Sequence, residues 1–300
     1  MSFLNPVNEP VLRFSSKDAG APQINYNART AGDVKTVLKG CLVTGYGATE
    51  SAGWTAVNEV AHVIEFVSPS AAMSDYRLGV DDTGTVNTTW YYRHQDARTN
   101  PVNNAPQKNI LNITKASPDN GWQMLVTDRG FYFIEAFMSV ELGALVSRTT
   151  FFGQVKSSVL TPLGNNIGFW VAGHQSQALQ PRSVFNTSTS NKHFVIGEYT
   201  EIGFDGANIN AFSRTASMAG WDVSQIELIG DAYLTYKGRI VGQHPGLMLK
   251  DNNVIGLVYG VFDTTLSSRP VLQVCLSWSN SSGVTNECRV ILIYLDYWEY

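Results

Sequence analysis

Strand-length apolar runs separated by short polar turns recur along most of this chain, and they constrain its fold more than any other feature. The tripeptide Asp128-Arg129-Gly130 lies between two such runs and is typical of a hairpin loop, with a glycine that can take positive φ. The pattern therefore predicts an antiparallel meander here. Its predicted strands are 122–127, 131–138, 149–155 and 167–172.

Further strands are predicted on both sides of this meander. Residues 74–80 and 85–93 flank the cluster Asp81-Asp82-Thr83-Gly84, which favours a hairpin turn. The segment 59–67 is too short to classify as helix or strand. Near the C-terminus, Asp263-Thr264-Thr265 is interpreted as a turn between two strands. The later predicted strands are 194–199, 226–236, 254–262, 270–278 and 288–297, the last of them uncharged enough to be buried on both faces.

One segment, 31–47, has a clear helical period. Its apolar residues recur at i, i+3, i+4, i+7 and i+8 and form a single stripe that we expect to be buried against the β body. Asp33 is predicted to cap or complement the first turn, and Gly45 to end the last. The predicted fold is mainly β, an antiparallel β-sandwich or barrel-like meander with one amphipathic helix near the N-terminus. The stripe consists of Val34, Val37, Leu38, Cys41 and Leu42.

The distribution of proline, glycine and polar residues along the chain predicts three parts. Residues 1–30 are rich in proline and glycine and are predicted to form an extended arm that lies on the body or on a neighbour. Residues 31–175 would form a helix plus β-meander lobe, and residues 176–300 a β-rich C-terminal lobe. The polar stretch 175–192 is either a long surface loop or the seam between the lobes, which otherwise form one continuous domain.

Charge and hydropathy exclude several classes of partner. Only 15% of the residues are charged and the net charge is −4, which is the opposite of the basic footprint of a nucleic-acid binder, so we expect no direct nucleic-acid binding. No stretch is long and apolar enough for a membrane span, so we expect no membrane insertion. The N-terminus lacks the pattern of a signal peptide, which predicts synthesis in the cytoplasm.

Motifs that carry chemistry are missing from the sequence. The five histidines are scattered, and no pair has the spacing that would place two imidazoles on one metal. Asp81 and Asp82 invite comparison with calcium loops and aspartic proteases, but no second copy exists, so the hairpin-turn interpretation is favoured. We therefore expect no enzyme activity, no catalytic residue, no metal and no cofactor.

The three cysteines leave one pairing open. Cys275 and Cys288 could face each other across a hairpin, although the alternative, two small buried apolar side chains in a reducing compartment, is favoured. The seven tryptophans could line a carbohydrate groove. Because they are dispersed along the chain, they are more typical of core and interface anchors.

Both ends of the chain carry apolar or aromatic residues that require a covering surface. The arm has too few apolar residues to fold alone. A C-terminus this rich in aromatic residues is expected to pack against a surface rather than extend into solvent. Either the chain's own body or a partner supplies the surface, and two such ends favour a homo-oligomer or a bound subunit. The interface candidates are Val11, Leu12, Phe14, Tyr294, Tyr297, Trp298 and Tyr300.

Several motifs in the first half resemble a group of uncharacterised virion-associated proteins of tailed bacteriophages and prophages. The likeness is diffuse beyond residue 175, and no catalytic residue can be transferred from it. The matching motifs are Pro10-Val11-Leu12-Arg13-Phe14-Ser15-Ser16, Gly20-Ala21-Pro22, Gly32-Asp33-Val34, Leu38-x-x-Cys41-Leu42-Val43-x-Gly45-Tyr46-Gly47, Gly53-Trp54, Leu78-Gly79-Val80-Asp81-Asp82-Thr83, Asp128-Arg129-Gly130-Phe131-Tyr132-Phe133 and Phe152-Gly153-Gln154.

The resemblance implies a structural component of a phage virion, at the tail tip, baseplate or fibre-attachment region, with other virion proteins as partners. A capsid decoration or head-to-tail joining protein would have the same composition. A host-surface glycan is a further candidate partner. A glycan depolymerase would need paired carboxylates about 5 to 9 Å apart, whereas this sequence offers Asp and Glu singly.

Overall fold

A computed structural model gives the structure of fourteen segments of the chain. They are residues 6–26, 28–74, 76–84, 87–94, 108–110, 121–138, 145–157, 167–173, 194–196, 208–211, 228–236, 239–251, 261–279 and 286–300. The polar stretch 175–192, the lobe boundary near residue 175 and most of the predicted strand 254–262 lie outside these residues. The division into lobes therefore stays a prediction.

The fold is mainly β, as predicted, with one short helix near the N-terminus. Helix α1 (Asp33–Lys39) continues into a π-helical turn (Gly40–Thr44), and a 3-10 turn follows later (Ala71–Met73). The strands of the first half are β1 (Asn8–Pro10), β2 (Leu12–Ser15), β3 (Thr55–Val60), β4 (Val63–Val67), β5 (Tyr76–Asp81), β6 (Asn87–His94), β7 (Lys108–Ile110), β8 (Gly121–Thr127), β9 (Gly130–Met138) and β10 (Leu145–Gln154). The remaining strands are β11 (Lys156–Ser157), β12 (Ile167–Gly173), β13 (Phe194–Ile196), β14 (Asn208–Ala211), β15 (Leu228–Tyr236), β16 (Arg239–Asp251), β17 (Val261–Leu266), β18 (Arg269–Ser279), β19 (Asn286–Tyr294) and β20 (Tyr297–Glu299).

These strands form three sheets. A 5-stranded sheet has the order β3-β4-β5-β6-β7, and β1 pairs with β20 in a 2-stranded sheet. The 13-stranded sheet runs β14-β15-β16-β19-β18-β10-β9-β8-β2, with β11, β12, β13 and β17 attached to it. Its pairings are antiparallel except where Ser147 of β10 meets Leu276 of β18 in parallel. The described strands form no closed barrel.

Strand β9 separates two hydrophobic cores because it is buried on both faces. Phe131 and Phe133 point to one side, where their rings lie 5.8 Å from Trp54 and 6.2 Å from Trp90. Tyr132 and its neighbours point to the other side. Since Trp90 lies on β6, the first core joins the 5-stranded sheet and α1 to the face of β8, β9 and β10.

The second core lies where the large sheet curls over on itself. It combines Leu125 and Tyr132 of β8 and β9 with Leu272 and Ile291 of β18 and β19. At the outer edges of this curled sheet, strands β2 and β17 lie close to each other, but their backbones do not pair. There the Arg13 guanidinium donates to both oxygens of the Asp263 carboxylate, at 2.7 and 2.8 Å. Along this line the two strands are therefore linked by side chains and not by the backbone pairing of the sheet.

The helix buries the predicted stripe, since all five of its side chains have no exposed surface. Gly45 ends the helical segment at φ 71°. Of the two roles predicted for Asp33, the second is the one found: Gly32 occupies the N-cap position, and Asp33 is an acidic residue in the first turn, where its carboxylate accepts the Thr30 N–H at 3.0 Å. The N-terminal turn is capped from elsewhere in the chain, as described below.

Two turn predictions need correction in detail. The Asp128-Arg129 hairpin joins β8 to β9 as predicted. Gly130, however, does not have a positive φ. A glycine is needed at this position because a Cβ would lie 2.7 Å from Gly153 Cα on β10. The predicted turn Asp263-Thr264-Thr265 was wrong. These residues belong to β17, and the chain turns at Ser267-Ser268 with φ of 48° and 67°.

The register of β18 and β19 bears on the open cysteine question. Cys275 is opposite Val290, and Cys288 is opposite Ser277. The two cysteines are therefore offset by two residues rather than directly paired across the hairpin.

Candidate functional site

The two chain ends meet on one surface of the molecule. Val7 N–H donates to Tyr300 O at 3.2 Å, and Tyr300 N–H donates to Val7 O at 3.0 Å, which frames the β1–β20 pair. Val11 N–H donates to Asp296 O at 3.0 Å. The two segments that were predicted from the sequence as separate interfaces therefore pair with each other within one chain.

Three of the interface candidates are covered by the chain's own body. Phe14, Trp298 and Tyr300 are buried. The Trp298 ring lies edge-on to Tyr132 at 5.0 Å, and the Tyr300 hydroxyl is 2.8 Å from the Thr127 hydroxyl. Burial raises the pKa of Tyr300 above its ordinary value.

The other candidates remain in contact with solvent to different degrees. Leu12 is 45% exposed, and Val7 beside β1 is also exposed. Val11 is half-buried against the second core, as is Tyr294. Whether these residues contact a partner stays a prediction.

Tyr294 and Tyr297 are organised by an arginine that sequence reasoning missed. The Arg269 guanidinium carbon lies 3.6 Å from the ring centroid of Tyr294 and 4.0 Å from that of Tyr297. The same guanidinium donates to both oxygens of Asp296, at 2.8 and 2.6 Å, and to Tyr297 O at 2.9 Å. These hydrogen bonds hold the pKa of Asp296 below its ordinary value and raise that of Arg269.

This cluster forms one wall of a polar cleft of about 350 Å³. The same cleft is lined by an ion pair, in which Lys156 Nζ lies 3.1 Å from a Glu299 carboxylate oxygen. The lining residues are Lys156, Gln243, His244, Pro245, Gly246, Leu247, Arg269, Tyr294, Tyr297 and Glu299.

The floor of the cleft is fixed by packing. Gly246 has φ of 67°, and a Cβ at this position would collide with the Trp298 ring. Trp298 Nε1 donates to Tyr294 O at 2.9 Å, and the Tyr132 hydroxyl donates to Pro245 O at 2.9 Å. His244 is buried at the floor, edge-on to a phenylalanine ring at 4.9 Å. Few signals in the sequence pointed here, because β16 carries a proline and a glycine that break its strand pattern.

A second polar cluster lies deep in the fold and serves structure. Asp82 is fully buried, and its carboxylate forms an ion pair with Arg29 and accepts the Thr88 hydroxyl at 2.9 Å. The same carboxylate accepts the N–H groups of Val34 and Lys35 at 2.8 and 3.1 Å, which caps α1. Burial raises the pKa of Asp82, while Arg29 and these hydrogen bonds oppose that rise.

Asp81 ends β5 and Asp82 begins the connection to the antiparallel strand β6, which agrees with the hairpin-turn interpretation; the buried role of the Asp82 side chain was not predicted. The Asp81 carboxylate accepts the N–H and the hydroxyl of Thr83 at 3.1 and 2.7 Å, which is an ordinary turn contact.

Other candidate sites find no counterpart in the part of the chain that the structure describes. Within it, no group of three or more His, Cys, Asp or Glu residues could hold a metal ion. The tryptophans whose side chains are described are buried in the cores, as expected of core anchors; they are Trp54, Trp90, Trp122 and Trp298. Among the described helices, none is long and apolar enough to cross a membrane.

Comparison with known proteins gives no relative. No family model, no curated protein and no solved structure matches the chain. The likeness to phage virion proteins consequently rests on the sequence motifs alone.

Proposed function

We propose that the protein is a structural component of a tailed-phage virion, at the tail tip, baseplate or fibre-attachment region, and that it acts through protein–protein contacts. The motifs of the first half support the virion assignment. The low charge and β-rich fold are compatible with a part that works by its shape and its contacts. The proposal assigns the protein no catalytic step.

One observation carries the location of the contact. The exposed large apolar side chains of the described residues are Val7, Leu12 and Val60, and two of these three lie on the N-terminal arm. The arm is held in place by β1–β20 and β2–β8 pairing, so Val7 and Leu12 are presented at fixed positions. A preorganised apolar side chain contributes to binding without a large ordering cost. The arm is therefore the preferred contact surface for a neighbouring virion protein or a second copy.

The test introduces a charge at the proposed contact. Tailed particles purified from the encoding strain are expected to contain the protein by mass spectrometry. Leu12→Asp should reduce its incorporation by about tenfold or more, because a desolvated charge opposes the interface. Val60→Asp is the matched control, since Val60 is 62% exposed on β3 of the 5-stranded sheet, whereas the strands of the arm belong to the two other sheets.

The outcomes separate the alternatives. Absence of the protein from purified particles would overturn the virion assignment. Equal incorporation of Leu12→Asp and wild type would overturn the arm as the contact. Antibody labelling on the tail rather than the head would separate a tail component from a capsid decoration or joining protein.

A further inference from the structure

We propose that the cleft between Lys156 and Arg269 binds a neutral saccharide. This inference rests on the cleft alone and does not depend on the virion assignment. It concerns binding of one sugar unit, without chemical conversion.

The size and rigidity of the cleft fit a small ligand. Its volume of about 350 Å³ lies in the range of about 300–1,000 Å³ that is typical of small-molecule sites. The floor is held by Trp298 and Tyr132 through hydrogen bonds to the backbone of Tyr294 and Pro245. Side chains and backbone that are fixed before binding lose little entropy when a ligand arrives.

The charges of the cleft select against an anion. Lys156 is paired with Glu299, and Arg269 is paired with Asp296, so the two cations are balanced by two carboxylates. A phosphate or sulfate would have to compete with carboxylates that are already in place. The cleft therefore offers strong donors and acceptors side by side with no net charge.

A sugar hydroxyl matches this arrangement because it donates and accepts at once. It can accept from the Lys156 ammonium while it donates to the Glu299 carboxylate, and Gln243 supplies a further amide donor and acceptor at the rim. Tyr294 and Tyr297 line the same cleft, and the Arg269 guanidinium already lies over one face of each ring. Recognition by the cleft therefore rests on its hydrogen-bonding groups, which an uncharged, hydroxyl-rich ligand satisfies.

The experiment uses the full chain and a panel of the methyl glycosides of glucose, galactose, mannose and N-acetylglucosamine, observed by saturation-transfer NMR and then titrated. A ligand of this size in a partly open cleft is expected to bind with a dissociation constant on the order of 1 mM. Lys156→Ala should weaken binding of the best glycoside by about tenfold or more, because a charged hydrogen-bond donor is lost. Glu299→Gln should weaken it in the same direction.

Lys39→Ala is the matched control. Lys39 pairs with Glu59 at 2.8 Å, with side-chain exposures of 35% and 34%, against 29% and 44% for Lys156 and Glu299. It lies on α1 and does not line the cleft, so its loss should leave glycoside binding unchanged. Both lysines are on the surface, and the two variants should fold equally well.

Three results would overturn the proposal. These are no saturation transfer to any glycoside of the panel, binding of inorganic phosphate in preference to the glycosides, and equal weakening by Lys39→Ala and Lys156→Ala. The Leu12→Asp protein should retain glycoside binding. The proposed saccharide site and the proposed virion contact are therefore tested by different variants, and one proposal can be overturned without the other.

Discussion

At the scale of single residues, Asp82 connects parts of the chain that lie far apart in sequence. Its carboxylate is paired with Arg29 and accepts the first free N–H groups of α1, so one side chain fixes the arm, the helix and the end of β5. A cap supplied from 48 residues away leaves no mark in the local sequence around Val34. Sequence reasoning identified the acidic cluster and could not identify its partner.

Asp82→Asn should destabilise the protein by about 3–5 kcal/mol, because the neutral amide leaves the buried Arg29 guanidinium without its counter-charge. Reversible denaturant unfolding measures the change. Asp81→Asn is the matched control: the neighbouring side chain makes only a turn contact with Thr83, and an amide oxygen can accept the same bonds. Equal stability of the two variants would show that the buried pair contributes no more than the turn.

The Arg269–Asp296 pair predicts a pH dependence. Arg269 lowers the pKa of Asp296 from its ordinary value of 3.8. Because the folded pKa lies below the unfolded one, ionised Asp296 stabilises the fold above the unfolded pKa, and this contribution is lost as the pH falls through the folded pKa.

The difference in unfolding free energy between wild type and Asp296→Asn should therefore be largest near neutral pH and shrink as the pH is lowered from about 5 to about 2. Urea unfolding at several pH values measures it. A difference that stays constant over this range would contradict the assignment.

At the scale of elements, the helix was predictable because the residues that specify it lie close together in the sequence. The period of the stripe Val34 to Leu42 is set by helix geometry, and any apolar surface can satisfy it. The Asp128-Arg129 hairpin was predictable for the same reason. Strand β16 was not, because Pro245 and Gly246 interrupt its pattern. The strand tolerates them because Pro245 O accepts a hydrogen bond from a distant tyrosine and Gly246 makes room for Trp298.

Leu38→Ala should cost about 2–5 kcal/mol, because Leu38 is fully buried in the first core and its removal leaves a cavity. Val60→Ala serves as the control, since Val60 is largely exposed and its truncation should change stability by less than about 0.5 kcal/mol. Both changes are measured in reversible melts. A loss below that same threshold for Leu38→Ala would mean that α1 is a surface appendage.

At the scale of the whole molecule, the chain closes on itself through its two ends. Pairing of β1 with β20 joins Asn8 to Glu299, and pairing of β2 with β8 joins the arm to the large sheet. Sequence reasoning recognised that both ends needed a covering surface. It could not establish that the two ends pair with each other and are covered by the body, because pairing between distant segments depends on the complete fold.

Removal of residues 297–300 should consequently prevent folding rather than merely weaken an interface. The deletion eliminates β20 and exposes the surfaces that buried Trp298 and Tyr300 cover. Loss of a buried aromatic side chain costs about 3–5 kcal/mol, and two such losses approach the 5–15 kcal/mol that is typical of the total stability of a domain. Circular dichroism should show no cooperative melt for the truncated protein. Glu299→Gln, which alters the same segment without removing buried surface, should melt like wild type, and a truncated protein that does so too would mean that the C-terminal strand is dispensable.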